Sequence, residues 1–141
     1  MRRIFIDTGA YIALVDRRDQ YHDVARRRAA SLVGQRLHIC TTAYIFAETA
    51  TWMTRKLGHA TAVEFGNSVR RQQARGQLDL ILPSGELEEA AWQIFTHFSD
   101  QAFSYVDCTS FAWLKSQRDV QAFTFDHHFR WMGFSLFEDE S

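Results

Sequence analysis

Short strand-like runs alternate with helical stretches along this chain, and that alternation is what most restricts its fold. Residues 3–7 form a β-rich run that is apolar at consecutive positions, the pattern of a strand buried on both faces. Residues 37–41, 78–82 and 121–125 are expected to be the next three strands, and 134–137 is a candidate fifth. Between them the periodicity turns helical. One helix starts at Thr8, with Ala10, Tyr11, Ala13 and Leu14 at apolar positions, and a second, capped by Asp19, stops at Gly34. Residues 43–57 are strongly helical and end at Gly58, and a further helix runs from about Ala60 to near Gly76. Pro83 and Ser84 stop the third strand. Glu86, Glu88 and Glu89 then fall in the first turn of the next helix, where the helix dipole favours acids. Ser104 opens a last long helix carrying Phe111, Ala112 and Leu114. Strands joined by single helices or helix pairs imply right-handed crossovers. The expected class is α/β: three layers, α/β/α, around a central, mainly parallel sheet of four to five strands. Ligands of such sheets bind at the carboxyl ends of the strands.

A length of 141 residues fits one domain spanning 1–141, with no linker, low-complexity tract or internal repeat. Hydrophobic residues make up 46% of the chain, and Pro occurs once, which excludes a disordered polymer. No apolar run approaches the ~20 residues that span a bilayer. The basic and then apolar start is interrupted by Asp7 too early for a signal peptide, so a cytoplasmic location is expected. Cys40 and Cys108 form no CxxC pair and read as small core residues. The net charge of −1 hides a separation of signs. Arginines group at Arg17-Arg18, Arg26-Arg27-Arg28, Arg55 (beside Lys56) and Arg70-Arg71 with Arg75. Such patches can follow a phosphate backbone, although composition alone favours solvated helix faces.

Four carboxylates fall where the crevice should be. Asp7 and Asp126 follow the first and fourth strands, and Glu48 and Asp107 lie early in helices that approach the same edge. Acids gathered at one point repel each other and are costly to desolvate, and a divalent cation relieves both problems. Oxygen-only ligands select hard ions, hence Mg²⁺ or Mn²⁺. Each acid also has a local explanation. Asp7 can cap the first helix. Asp107 completes a capping box with Ser104, and Asp126 can open the turn Asp126-His127-His128. Glu48 is harder to dismiss, because it interrupts a largely apolar face made by its helical neighbours Tyr44, Ile45, Thr51 and Trp52, and burial there would call for a cation or an arginine; the local alternative is a glutamate snorkelling at the edge of the core.

The remaining chemistry-bearing residues point elsewhere. His127 and His128 are adjacent, are expected to diverge, and read as solvated turn residues. His22, His38, His59 and His97 show no ligand spacing such as HExxH. The four tryptophans fall at mainly helical spacings and read as core. Phosphate-binding glycine loops and a GxSxG elbow are absent from the sequence.

Four segments together resemble the motifs of PIN-domain nucleases. They are Phe5-Ile6-Asp7-Thr8-Gly9-Ala10-Tyr11, Ala47-Glu48-Thr49, Ser104-Tyr105-Val106-Asp107-Cys108-Thr109, and Ala122-Phe123-Thr124-Phe125-Asp126-His127-His128 followed by Gly133-Phe134. Their order and spacing hold across nearly the whole chain, and the compact form is similar to the VapC-type toxins of toxin–antitoxin pairs. That resemblance implies a metal-dependent endoribonuclease, inhibited by a small antitoxin and usually homodimeric. It carries over to Asp7, Glu48, Asp107 and Asp126 as metal-site acids, to Thr8 and Thr124 as supporting hydroxyls, and to Asp100 only peripherally. Gly9 departs from the family, where Ser is frequent. The implied reaction is hydrolysis of an RNA phosphodiester by a metal-activated water, with one or two ions. Two other readings share these residues: a housekeeping RNA-processing nuclease of the same fold, and a non-catalytic RNA- or protein-binding module.

Overall fold

The computed structural model describes residues 1–138. Four strands, β1 (Arg2–Ile6), β2 (Leu37–Thr42), β3 (Leu78–Ile81) and β4 (Val120–Phe123), form one sheet in the order β3-β2-β1-β4. Every pairing is parallel, with Phe5 opposite Cys40 on one side and Ala122 on the other. Ile4 and Phe5 are both fully buried, as expected of a strand covered on both faces. The candidate fifth strand reduces to a single parallel bridge between Leu136 and Ala122. Only one residue there keeps register before the chain leaves the sheet.

Among the described residues seven helices surround the sheet: α1 (Thr8–Val15), α2 (His22–Ser31), α3 (Ala43–Lys56), α4 (His59–Ala74), α5 (Gly85–His97), α6 (Tyr105–Lys115) and α7 (His128–Trp131). Their starts follow from local chemistry. Thr42 and Ser84 cap α3 and α5 by accepting the backbone N–H of Ile45 and Leu87, each at 3.1 Å. Gly58 separates α3 from α4 with φ of +100°, a conformation that a side chain would strain. Asp19 does not cap α2 as expected. Its carboxylate accepts the Tyr21 N–H at 2.8 Å, closing a turn that delays the helix to His22.

Aromatic contacts join the layers. Trp113 of α6 stacks on Phe5 with centroids 5.5 Å apart, and Tyr11 of α1 meets Phe65 of α4 edge-on at 5.1 Å. Phe5, Phe111, Phe123 and Phe129 are the largest fully buried side chains. Each such burial stabilises the fold by about 1.5–3 kcal/mol. Cys40 and Cys108 are buried and unpaired, as core residues should be. Among the described residues no helix is long and apolar enough to cross a membrane.

The strand order has a functional consequence. From β1 the chain adds β2 and β3 on one side, then crosses to place β4 on the other. The order therefore reverses between β1 and β4, and a crevice opens there at the carboxyl ends.

Candidate active site

Asp7 and Asp126 stand on the two lips of that crevice. Asp7 immediately follows β1, and its backbone N–H donates to the Phe123 carbonyl at 3.1 Å, extending the β1–β4 ladder by one rung. The residue is 8% exposed. It makes no capping hydrogen bond to α1, so the cap does not explain this acid. Instead the Thr124 hydroxyl donates to Asp7 Oδ2 at 2.9 Å and accepts the Asp126 N–H at 3.0 Å. One buried threonine thus ties two acids together.

Asp107 arrives from the opposite helical layer. The capping box forms as the sequence implies: Ser104 Oγ accepts the Asp107 N–H and Asp107 Oδ2 accepts the Ser104 N–H, both at 3.0 Å. Capping and a crevice role are compatible here, because the box occupies Oδ2 and fixes the carboxylate at the helix start. Asp126 is held in its turn. Its Oδ1 accepts the His128 N–H at 2.9 Å and lies 2.9 Å from His128 Nδ1.

The electrostatics show how close the acids lie. Burial raises the Asp7 pKa to about 7; the Thr124 hydroxyl opposes this, while the Asp107 and Asp126 carboxylates add to it. Asp107 is raised as well, chiefly by burial, with Asp126 and Glu48 contributing and the Ser104 N–H opposing. The charged groups that raise Asp7 further are thus two like charges, Asp107 and Asp126. The Thr8 hydroxyl is buried nearby in sequence without a hydrogen-bond partner. An uncompensated buried carboxylate beside other acids and an unpartnered hydroxyl suits a hard divalent cation with oxygen ligands.

Two expectations need correction. Glu48 is exposed rather than buried, because the buried stripe of α3 is Ile45, Thr49 and Met53. It reaches the crevice through its influence on Asp107, not by interrupting the core. His127 and His128 do not diverge as adjacent residues in a strand would. They open the short helix α7, which sequence reading missed, and their rings lie 4.2 Å apart. Their donor atoms and those of Asp126 all fall within 4.8 Å of one another. Of the arginine groups, Arg70, Arg71 and Arg75 lie where α4 runs into β3, at the amino edge of the sheet. Asp100 is exposed in the turn after α5. Among the described residues one other mixed group, His38, Cys40 and Asp79, has donor atoms within 4.8 Å of one another, away from the crevice on β2 and β3.

Fold and site together define a class: parallel α/β proteins with acids gathered at the carboxyl-end switch point, a set of oxygen donors that suits a hard cation. The PIN domain model matches residues 4–134, and the chain belongs to that family. It is similar to the 23S rRNA-specific endonuclease VapC20 of Mycobacterium tuberculosis, with 30% identity over 136 residues that cover 93% of this chain and 95% of the relative. The crystal structure of that VapC20, described as a sarcin–ricin loop cleaving toxin, superposes with a TM-score of 0.83 at 28% identity, covering 96% of this chain and 99% of the other. VapBC2 from Rickettsia felis, bound to a DNA fragment from its promoter, gives a TM-score of 0.66 at 9% identity over 95% and 96% of the two chains. That likeness is one of fold.

Proposed function

We propose that this protein is a metal-dependent endoribonuclease of the VapC toxin type, acting in the cytoplasm as a homodimer and restrained by a small antitoxin. The observation that carries the reading is Asp7: buried, raised to about 7 by that burial, with the Asp107 and Asp126 carboxylates adding to the rise. Mg²⁺ or Mn²⁺ would be held by Asp7 and Asp107, with Asp126 completing the set directly or through water. Glu48, exposed at the rim, would serve a second ion or orient the attacking water. A bound divalent ion supplies Lewis-acid chemistry, making water more acidic and offsetting negative charge on phosphate oxygens.

The protein's own part is positioning. Thr124 fixes the spacing of Asp7 and Asp126 through its two hydrogen bonds. Ser104 holds Asp107 at the start of α6, and His128 orients Asp126. Groups locked this way need no reorganisation when charge develops on the phosphate. Looped or single-stranded RNA is the substrate class, because its backbone can enter a crevice at a sheet edge. The name of the M. tuberculosis relative points to a ribosomal RNA loop.

The test is cleavage of ribosomal RNA by the purified protein with Mg²⁺ or Mn²⁺, with RNA ends mapped. Asp107→Asn should abolish cutting while the protein still folds. Metal-dependent cleavage that survives this change would sink the assignment. Expression of the wild type should arrest growth and that of Asp7→Ala should not; co-expression of the small protein encoded beside the gene should restore growth.

A further inference from the structure

Tyr21 ends the turn between α1 and α2, and its ring lies flat on Phe125, with centroids 4.5 Å apart and planes within 1°. Phe125 sits between Thr124 and Asp126 in the chain, so its Cα is about 3.8 Å from the Cα of each. The Arg28 guanidinium packs over the Phe125 ring at 5.2 Å. One face of the Tyr21 ring is covered by Phe125, and the residue as a whole stays 40% exposed. The turn is fixed from several directions. Asp16 accepts the Arg18 N–H at 3.0 Å, Asp19 accepts the Tyr21 N–H at 2.8 Å, and His22 Nδ1 lies 2.6 Å from the Ala13 carbonyl oxygen. Exposed Arg17 and Arg18 stand in the same turn.

A flat, pre-oriented ring stacked on the residue between Thr124 and Asp126, flanked by positive charge, has the properties of a base-stacking platform. Its order is established before a ligand arrives, so little conformational entropy is lost on binding. We infer that the exposed face of Tyr21 stacks a nucleobase of single-stranded RNA adjacent to the phosphate at the acid crevice, an inference that rests on the nuclease reading for its substrate. Phe125 backs the ring and keeps it parallel to the incoming base. Stacking of this kind tolerates any base, because each has a π-face. Target choice then lies elsewhere, and Tyr21 sets how firmly the strand is held.

The rival explanation is that Tyr21 only covers Phe125, which a leucine would do equally well. Binding is measured in an Asp107→Asn background, so that RNA is not cut, with an adenine oligoribonucleotide and with the same length of abasic ribose-phosphate strand. The adenine strand should bind roughly tenfold more tightly, the scale of one stacked base. Adding Tyr21→Leu should remove most of that difference, and Tyr21→Trp should keep it. The difference persisting in full in Tyr21→Leu overturns the platform. If Tyr21→Leu fails to fold, Tyr21→Trp still decides: the added indole emission should be quenched by the adenine strand and not by the abasic one. Unchanged emission with both overturns the inference. Cleavage by the wild-type protein is scored separately. RNA cutting that is indifferent to Tyr21→Leu, in both binding and KM, leaves the nuclease and removes the platform. Tyr21-dependent binding without any cutting leaves the platform and removes the nuclease.

Discussion

At the amino ends of the strands, charged groups have partners. Arg2 donates to Gln121 Oε1 from Nε at 3.1 Å and from Nη2 at 2.8 Å, reaches Gln35 at 3.2 Å, and lies over Phe137. Arg3 donates to Gln117 at 2.9 Å and packs over Trp113, and His38 pairs with Asp79 at 2.8 Å. At the carboxyl ends, a few residues further along the same strands, Asp7 faces Asp107 and Asp126, and the Thr8 hydroxyl has no partner. A chain that satisfies charge at one edge of a sheet has the means to do so at the other. Asp126 has His128 beside it at 2.9 Å, but the charges acting on buried Asp7 are those of other acids, an arrangement that suits a partner from outside the chain.

That contrast breaks most easily at Asp7. Asp7→Asn should lower metal-dependent RNA cleavage by at least about 10²-fold, since an ion and its ligands account for several kcal/mol of transition-state stabilisation. It should also stabilise the metal-free protein, which an ordinary partnered carboxylate would not do. The raised pKa means the folded chain binds this proton more tightly than the unfolded chain, whose value is near 3.8. Stability linked to Asp7 is therefore full below about pH 4, falls as pH rises, and is lost above about 7. The gap corresponds to at most about 4 kcal/mol. Thermal melts of the metal-free protein from pH 4 to 8 should decline in the wild type and flatten in Asp7→Asn. Saturating Mg²⁺ or Mn²⁺ at pH 8 should recover much of the loss in the wild type alone, about 2.7 kcal/mol at a hundred times Kd. A wild-type melting temperature unmoved by metal would show that the crevice wants no cation.

Thr124→Val sharpens the comparison. It removes the donor to Asp7 and the acceptor for Asp126 at nearly constant volume. Groups that orient ligands typically contribute 10–100-fold, so cleavage should fall by about that factor and need more Mg²⁺. Because Thr124 lowers the Asp7 pKa, the pH at which stability is lost should also move upward. A variant with unchanged metal dependence would make Thr124 a packing residue only.

Gln121→Ala makes the corresponding cut at the amino edge. It removes the acceptor of two Arg2 bonds, which are part-buried. Stability should fall by about 0.5–1.5 kcal/mol in denaturant melts, with cleavage unchanged.

Much of this contrast was legible in the sequence. Strand and helix periodicities placed β1 to β4 and six of the seven helices, and the carboxyl-end rule then put Asp7 and Asp126 on one edge. The order β3-β2-β1-β4 was not legible, because strand pairing joins residues far apart in the chain, and only that order puts a switch point between the two acids. The capping box at Ser104 was readable because it spans three residues; α7 was not, since four residues carry no period. Glu48 failed for a different reason. Apolar neighbours at helical spacing suggested burial, but the stripe that the sheet covers runs through Thr49, leaving Glu48 at the rim. Asp19 was read as a cap because Asp before a helix usually is one, whereas the tertiary stack of Tyr21 on Phe125 accompanies a turn there.

The smallest expected effect belongs to His38 and Asp79. Their donors and Cys40 Sγ lie close enough to be mistaken for a second metal site. The register puts Cys40 opposite Asp79, and His38, two residues before Cys40, shares its face of the sheet. Unlike Asp7, however, Asp79 has a partner in the chain, His38 Nε2 at 2.8 Å, and is 64% exposed. Exposed pairs contribute about 0–1 kcal/mol. His38→Ala should therefore shift stability by no more than that, leave RNA cleavage intact, and leave the stabilisation by Mn²⁺ unaltered. Loss of the metal response in His38→Ala would place the ion at the β2–β3 group rather than at the acids, and the difference between the two edges of the sheet would have to be read the other way round.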